Sequence, residues 1–119
     1  MKVAKNTEDL TFEIKIHSDM AEYEDIFNLL LTRLDSTSQV GGYILSCGNV
    51  LTLDKNSMYD ENVNLRQEDA WIYYKYDLSV FPEKIEKANI NNQISLAKNI
   101  INILQESDCL AELIAEFDI

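Results

Sequence analysis

Apolar and polar residues alternate at the start of the chain and then change to a helical spacing. The first apolar positions are Leu10, Phe12, Ile14 and Ile16. Because polar residues lie between them, this period of two predicts a strand with one buried face. Asp19 and Glu22 then have the spacing of a capping box, and the predicted helix continues to about Leu34. Its apolar stripe comprises Met20, Tyr23, Ile26, Phe27, Leu30, Leu31 and Leu34.

The middle of the chain predicts two further strands with a long polar segment between them. One strand runs from Tyr43 to about Leu53, and its centre at residues 47–49 predicts a bulge or bend, because interior glycine weakens regular pairing. Residues 54–68 are polar and lack periodicity, so they predict a loop. Residues 70–81 form the next predicted strand, which Pro82 ends.

The C-terminal third predicts a second helix and a final strand. Asn91 or Asn92 can cap the helix, and its apolar stripe comprises Ile94, Ala97, Ile100, Ile101 and Leu104. Residues 109–117 alternate apolar and mostly acidic side chains, which favours a strand, although Leu, Ala and Glu are good helix formers and a helix stays the alternative. With the strand, the order predicts a ferredoxin-like βαββαβ fold of the α+β class. Its four-stranded antiparallel sheet would have the spatial order 4-1-3-2, with two helices on one face.

Composition adds a strong negative charge to this picture. The 119 residues predict a single domain, 1–119. Twenty-one acids and ten bases give a formal net charge of −11, and no base follows Lys98. Such a field repels nucleic acids and anionic membranes and attracts cationic proteins. We therefore expect a basic protein partner and no direct contact with nucleic acid or membrane.

The cysteines and the hydropathy predict a cellular location. Cys47 and Cys109 are too few for a disulfide framework or a four-ligand zinc site. Lys2, Lys5 and Glu8 interrupt any signal-peptide core, and no apolar run reaches the length that spans a membrane. We therefore expect a cytoplasmic protein with both thiols reduced.

The aromatic run DAWIYYKYDLSVF, residues 69–81, predicts a binding face on the sheet. In a strand over 70–81, Trp71 and Tyr73 point away from the helices, because alternate side chains leave opposite faces. Trp and Tyr are enriched among interface anchors, and carboxylates around them would meet Lys and Arg on a partner. The predicted partner-binding residues are Glu13, Trp71, Tyr73, Glu112, Ile114 and Glu116 on the sheet, with Asp60, Glu61, Glu68 and Asp69 in and beside the loop. The alternative is that the long loop, or a second copy in a homodimer, covers the aromatics.

No motif in the sequence indicates catalysis or a cofactor. His17 is the only histidine, and the strand pattern predicts a solvated position with no nucleophile motif beside it. Carboxylate pairs such as Glu24-Asp25 lack the cleft that a glycosidase needs in a chain of this size. The segment from Asp54 to Asp60 lacks the glycine and the ligand spacing of an EF-hand. We therefore expect a protein that is not an enzyme and that binds no metal or cofactor.

Three stretches give the chain its general pattern: LTFEIKIH, DAWIYYKYDL and SLAKNIINILQESDCLAELIAEFD. In this pattern, its size and its acidity, the chain resembles the small acidic immunity proteins of bacterial polymorphic-toxin and contact-dependent growth-inhibition systems. The resemblance implies a stoichiometric inhibitor that occludes the active site of a basic toxin domain of the nuclease type. It implies no particular site residues.

Two other functions compete with this one. A small-molecule-binding regulatory domain would use glycine-rich turns, and only Gly41-Gly42 offers one. A phage-type DNA mimic that inhibits a nuclease would concentrate its carboxylates in rows, whereas bases interrupt the acids of this chain until Lys98.

Overall fold

The computed structural model describes residues 10–34, 36–38 and 41–119, which form six strands and two helices. The helices are α1 (Tyr23–Arg33) and α2 (Ile90–Glu106), and short 3-10 turns lie at Ala70–Tyr73 and Ile85–Lys87. The predicted α+β class is confirmed. The strands are β1 (Phe12–His17), β2 (Ser36–Ser38), β3 (Ile44–Ser46), β4 (Asn49–Lys55), β5 (Tyr76–Pro82) and β6 (Leu110–Ala115).

These strands form one antiparallel sheet in the order β2-β3-β4-β5-β1-β6. The prediction of a four-stranded ferredoxin-like sheet is therefore wrong. The two additional strands, β2 and β3, extend the sheet beyond β4 at one edge. The segment at residues 109–117, for which a helix was the alternative, contains strand β6.

The β3-β4 hairpin accounts for one additional strand. Ser46 pairs with Asn49, so the connection consists of Cys47 and Gly48 alone. Both residues have positive φ, 52° and 76°. This is the backbone of a type I′ turn, which is favoured in two-residue hairpins because its twist matches that of the strands. The glycine thus reverses the chain, and the predicted single strand with a central bulge is wrong.

Strand β2 consists of Ser36, Thr37 and Ser38. Three hydroxylated residues carry no hydrophobic period, and the sequence predicts only the end of a helix there. The segment becomes a strand because it pairs with β3. The hydroxyl of Ser36 also donates to the carbonyl of Leu31 at 2.8 Å, which fixes the chain at its exit from α1.

Both helices begin at a different residue from the one predicted. The N-cap of α1 is Glu22, and its backbone N–H donates to the Asp25 carboxylate at 2.9 Å, so the capping box lies one turn later than Asp19. The N-cap of α2 is Asn89, whose side chain accepts hydrogen bonds from the backbone of the two asparagines predicted as caps. At α2 three asparagines lie within four residues, and each has the local preference of an N-cap.

The helices pack against one face of the sheet. The inward side chains of β1 and β5 belong to one buried cluster together with residues of α1 and α2, and no residue of the opposite parity on these two strands belongs to it. The strand members are Phe12, Ile14, Ile16, Tyr76, Leu78 and Val80. The alternation predicted for the first strand is therefore the one that builds the core.

A buried pair of amide side chains joins the β3-β4 hairpin to α2. Asn49 and Gln93 donate to each other at 3.0 and 2.9 Å. The second amide hydrogen of Asn49 has the carbonyl of Cys47 as its acceptor, and Gln93 also donates to the carbonyl of Leu10 at 2.8 Å. Buried polar groups are stable when each one finds such partners, so this pair fixes the start of β4 against the helix.

Candidate partner-binding face

The face of the sheet opposite the helices, which we call the open face, carries the predicted site residues of β1 and β6. Glu13 lies between Ser79 of β5 and Ile114 of β6 in the strand register. Lys15, the next residue of β1 on this face, lies between Asp77 and Glu112. The placement of Glu13, Glu112 and Ile114 on one face is therefore confirmed.

The segment from residue 56 to residue 75, which we call the long loop, covers one end of the open face. His17 lies at this end of β1, and its side chain is buried, at 7% exposure. Its ring is 5.7 Å from the ring of Tyr74 and 6.2 Å from that of Tyr59. The prediction of a solvated histidine is therefore wrong, because the loop folds back over the end of the strand.

Asn56 forms hydrogen bonds to residues at both ends of the long loop. The side-chain amide of Asn56 donates to the carbonyls of Ile72 and Tyr74 at 2.9 and 2.6 Å, and its side-chain oxygen accepts from the backbone of Met58. The backbone N–H of Asn56 donates to the carbonyl of Lys75. These bonds tie the start of the loop to its end.

Trp71 and Tyr73 lie within this loop and not on a strand. They belong to the 3-10 turn at 70–73, and β5 begins only at Tyr76. Both side chains are half-buried. The prediction that they belong to a strand is therefore wrong, because a turn replaces the pleat that would have alternated their directions. Ala70, the first residue of the turn, is buried and anchors it.

No described residue covers the other end of the open face, which forms what we call the open-face groove. Its lining comprises Thr11, Phe12, Glu13, Ser79, Val80, Phe81, Pro82, Ile85, Ile114, Ala115 and Glu116. Phe81 and Ile85 are 40% and 59% exposed. Among these described residues there are two carboxylates and no base, so the groove combines apolar surface with negative charge.

The one lysine on this side of β1 is already paired. Lys15 Nζ lies 2.7 Å from the Asp77 carboxylate, and both side chains are largely buried. A second salt bridge joins Arg33 to Glu106. Neither pair uses Glu13, Glu112 or Glu116. These carboxylates therefore remain as the excess charge of the open face.

Burial under the loop also changes the acidity of Tyr74. Desolvation raises the pKa of this phenol, and the negative charge of Glu112 raises it further. A low-dielectric environment disfavours the charged form of the group. The phenol therefore stays neutral beside His17 near neutral pH.

The structure separates the predicted site residues into two groups. Glu13, Ile114 and Glu116 meet in the open-face groove, at the end of β1 that begins with Phe12. The acids of the second group are exposed in or beside the long loop, at the His17 end: Asp60, Glu61, Glu68 and Asp69. Since β1 spans roughly 17 Å at about 3.4 Å per residue, the two groups lie at opposite ends of this strand.

The predicted site lacked the two exposed apolar residues of the groove, Phe81 and Ile85. Phe81 has the same parity as Ser79, so the alternation of β5 carried one step further would have placed it on the open face. Ile85 carries no such signal, because it belongs to a short 3-10 turn after β5. Only the fold brings its side chain to the groove.

Other chemistry finds little support in the described part of the chain. No group of three or more His, Cys, Asp or Glu side chains there could hold a metal ion. Within the same residues, no helix has both the length and the apolar character needed to cross a membrane. A small cavity beside the β3-β4 hairpin is lined by Gly48, Lys84, Lys87 and the N-cap Asn89, whose side chain is used for capping.

No protein-family model, curated protein or solved structure matches this chain.

Proposed function

We propose that this protein binds a basic protein partner on its open face. The observation that carries the proposal is the open-face groove, where exposed Phe81 and Ile85 lie with Glu13 and Glu116 and no base lines the described surface. Apolar side chains provide the area that is desolvated on binding, and the carboxylates select a cationic partner. The chain as a whole, with a net charge of −11, attracts the same class of partner from a distance.

The partner that fits best is a bacterial toxin domain, and the protein acts as its immunity protein. A nuclease-type toxin carries a basic groove for its substrate. An acidic protein seated in that groove would block access of the nucleic acid without any chemical reaction. This function requires neither catalytic groups nor a cofactor, and it agrees with the resemblance of the chain to small acidic immunity proteins. Free Cys47 and Cys109 suit a reducing cytoplasm as the place of action.

Co-expression with a candidate toxin tests this function. The candidate is the basic C-terminal domain of a secreted protein encoded beside the gene of this chain, and growth of the host should be restored when both are made. Association of the purified proteins should slow strongly as salt rises, because steered association depends on ionic strength. A toxin that remains active in the presence of excess protein would contradict the proposal.

A matched pair of charge reversals tests the face. Glu116 of the groove and Glu24 of α1 are both exposed carboxylates, so Glu116→Lys and Glu24→Lys change the net charge equally. We expect Glu116→Lys to weaken binding about tenfold or more, because it places a base against a basic partner. Glu24→Lys should change it much less. Equal effects of the two variants would show that the toxin binds elsewhere.

A further inference from the structure

The two edges of the sheet differ in a way that matters for binding. One edge is β2, with three hydroxylated residues. The other is β6, which has six residues, Leu110–Ala115, and pairs on one side only, with β1, among the described residues. Short edge strands, lysine and proline are the usual protection against further pairing. β2 has the first of these, and β6 has none of the three.

Burial falls from β1 to β6 across the core face of the sheet. Ile14 and Ile16 of β1 are 0% exposed. Ala111, Leu113 and Ala115 of β6 point to the same side and contact the same core, but they are only half-buried. At the opposite edge, Ile44 of β3 is already 1% exposed, and only the polar residues of β2 lie beyond it. Among the residues described, the core is therefore better covered at the β2 edge than at the β6 edge.

The charged residues beside β6 determine which kind of strand can pair with this edge of the sheet. Glu112 is the only charged residue of β6, and Glu116 follows it on the open face with Ile114 between them. Lys15, which faces Glu112 across the strand register, has Asp77 as its ionic partner. A second copy of the chain would bring another net charge of −11 to this edge. A basic strand instead meets opposite charge on one face and apolar side chains on the other.

From these observations we infer that β6 receives an extended strand of the basic partner, which adds to the sheet as a seventh strand. The inference rests on the proposed function and specifies how the partner binds. Main-chain hydrogen bonds to the free edge give affinity, and alternate side chains give specificity. The incoming strand carries Lys or Arg at two positions four residues apart, opposite Glu112 and Glu116, and an apolar residue opposite Ile114. The side chains on the opposite face of the incoming strand cover Ala111, Leu113 and Ala115.

A short peptide added to the full chain tests this inference without the toxin. The probe is an acetylated and amidated peptide with the core Lys-Val-Val-Val-Lys. The control has the same side chains but carries N-methyl groups on its three valine amides, which removes hydrogen-bond donors from both edges of the strand. A third peptide has Glu in place of Lys. We expect the first to bind at least about tenfold more tightly than either other peptide, and to protect the amides of residues 110–115 from hydrogen exchange.

Variants in which glutamine replaces a glutamate of the protein test the same contact from the other side. Glu112→Gln with Glu116→Gln should weaken binding of the lysine peptide severalfold, whereas Glu24→Gln on α1 should not. Equal binding of the methylated peptide would show that side-chain contacts and charge suffice without main-chain hydrogen bonds, and it would overturn the strand addition. Equal binding of the glutamate peptide, or no binding at millimolar concentration, would overturn the basic strand as occupant.

A dimer in sedimentation equilibrium that the peptide dissociates would assign the edge to a second copy. Growth restored against the toxin together with a negative peptide result would leave the proposed function standing and remove only this mode of binding.

Discussion

Asn56 shows how one side chain can set the conformation of a segment as long as the loop between β4 and β5. Two of its side-chain hydrogen bonds join the start of the loop to its end, and a third fixes the backbone of Met58 beside it. The side chain is 6% exposed, so water does not easily replace a lost partner. This residue therefore helps to hold the loop in the conformation in which Tyr59 and Tyr74 lie beside His17.

Replacing Asn56 by Ala should destabilise the protein by about 2–4 kcal/mol, because two buried carbonyls lose their donor. Urea unfolding measures the loss. The control is Asn64→Ala in the same loop, since the exposed side chain of Asn64 accepts a hydrogen bond only from the backbone of Arg66, at 3.0 Å. We expect the control to cost less than about 1 kcal/mol. Similar losses for the two variants would mean that Asn56 does not hold the loop.

At the scale of the element, the β3-β4 hairpin depends on two residues with positive φ. Gly48 adopts its φ of 76° without strain, and no heavy atom would lie within 4 Å of an added Cβ. Cys47 adopts a φ of 52° although it has a side chain. The favoured first residue of a type I′ turn is Asn. The turn therefore has one ideal residue and one that can be improved.

Opposite changes in stability are expected at the two positions of this turn. Gly48→Ala should cost about 1–2 kcal/mol, because a residue with a Cβ is strained in the left-handed region. Cys47→Asn should leave stability unchanged or raise it by a few tenths of a kcal/mol, since asparagine tolerates this region and suits the turn. Thermal and urea unfolding of both variants would measure the difference. A Gly48→Ala protein as stable as the parent would contradict the assigned turn.

At the scale of the whole molecule, burial of several weak acids makes the fold sensitive to alkali. Desolvation is the main cause that raises the pKa of Tyr23, Tyr74, Tyr76 and Cys109, and carboxylates add to it at Tyr23 and Tyr74 through Asp54 and Glu112. For each group the neutral form is favoured in the folded chain. The unfolded chain therefore loses its protons first as the pH rises.

The free energy of unfolding should accordingly begin to fall as the pH approaches about 8.5, the ordinary pKa of Cys, and fall more steeply as it approaches about 10, the ordinary pKa of Tyr. At neutral pH and below, these groups are protonated in both states and contribute no pH dependence. Urea unfolding at pH 8, 9, 10 and 11 measures the decline. Tyr74→Phe keeps the ring beside His17 but removes one of the acids, so its decline should be shallower above pH 10. An unchanged slope in this variant would contradict the effect of burial on Tyr74.

The sequence predicted part of the open face correctly because strand side chains alternate with a period of two residues. Glu13, Glu112 and Ile114 lie on the open face because side chains alternate along β1 and β6, and this alternation is visible in the printed order of residues. The strand predicted for Trp71 and Tyr73 is wrong because residues 70–75 form a turn and the end of a loop, where side chains do not alternate. Ile85 could not be found, since no period links it to the strands that it joins in the groove.

The sequence by itself determined the α+β class, the two helices, the core-facing residues of β1 and the strong negative charge, because these follow from composition and from periods of two or 3.6 residues. Only the tertiary structure decided that the sheet has six strands, that the long loop covers one end of the open face, and that β6 is left as an edge. Each of these depends on contacts between residues far apart in the chain. Examples are the amide pair of Asn49 and Gln93, the bonds from Asn56 to residues 72 and 74, and the pairing of β2 with β3. Such contacts are formed by packing and leave no repeat in the sequence.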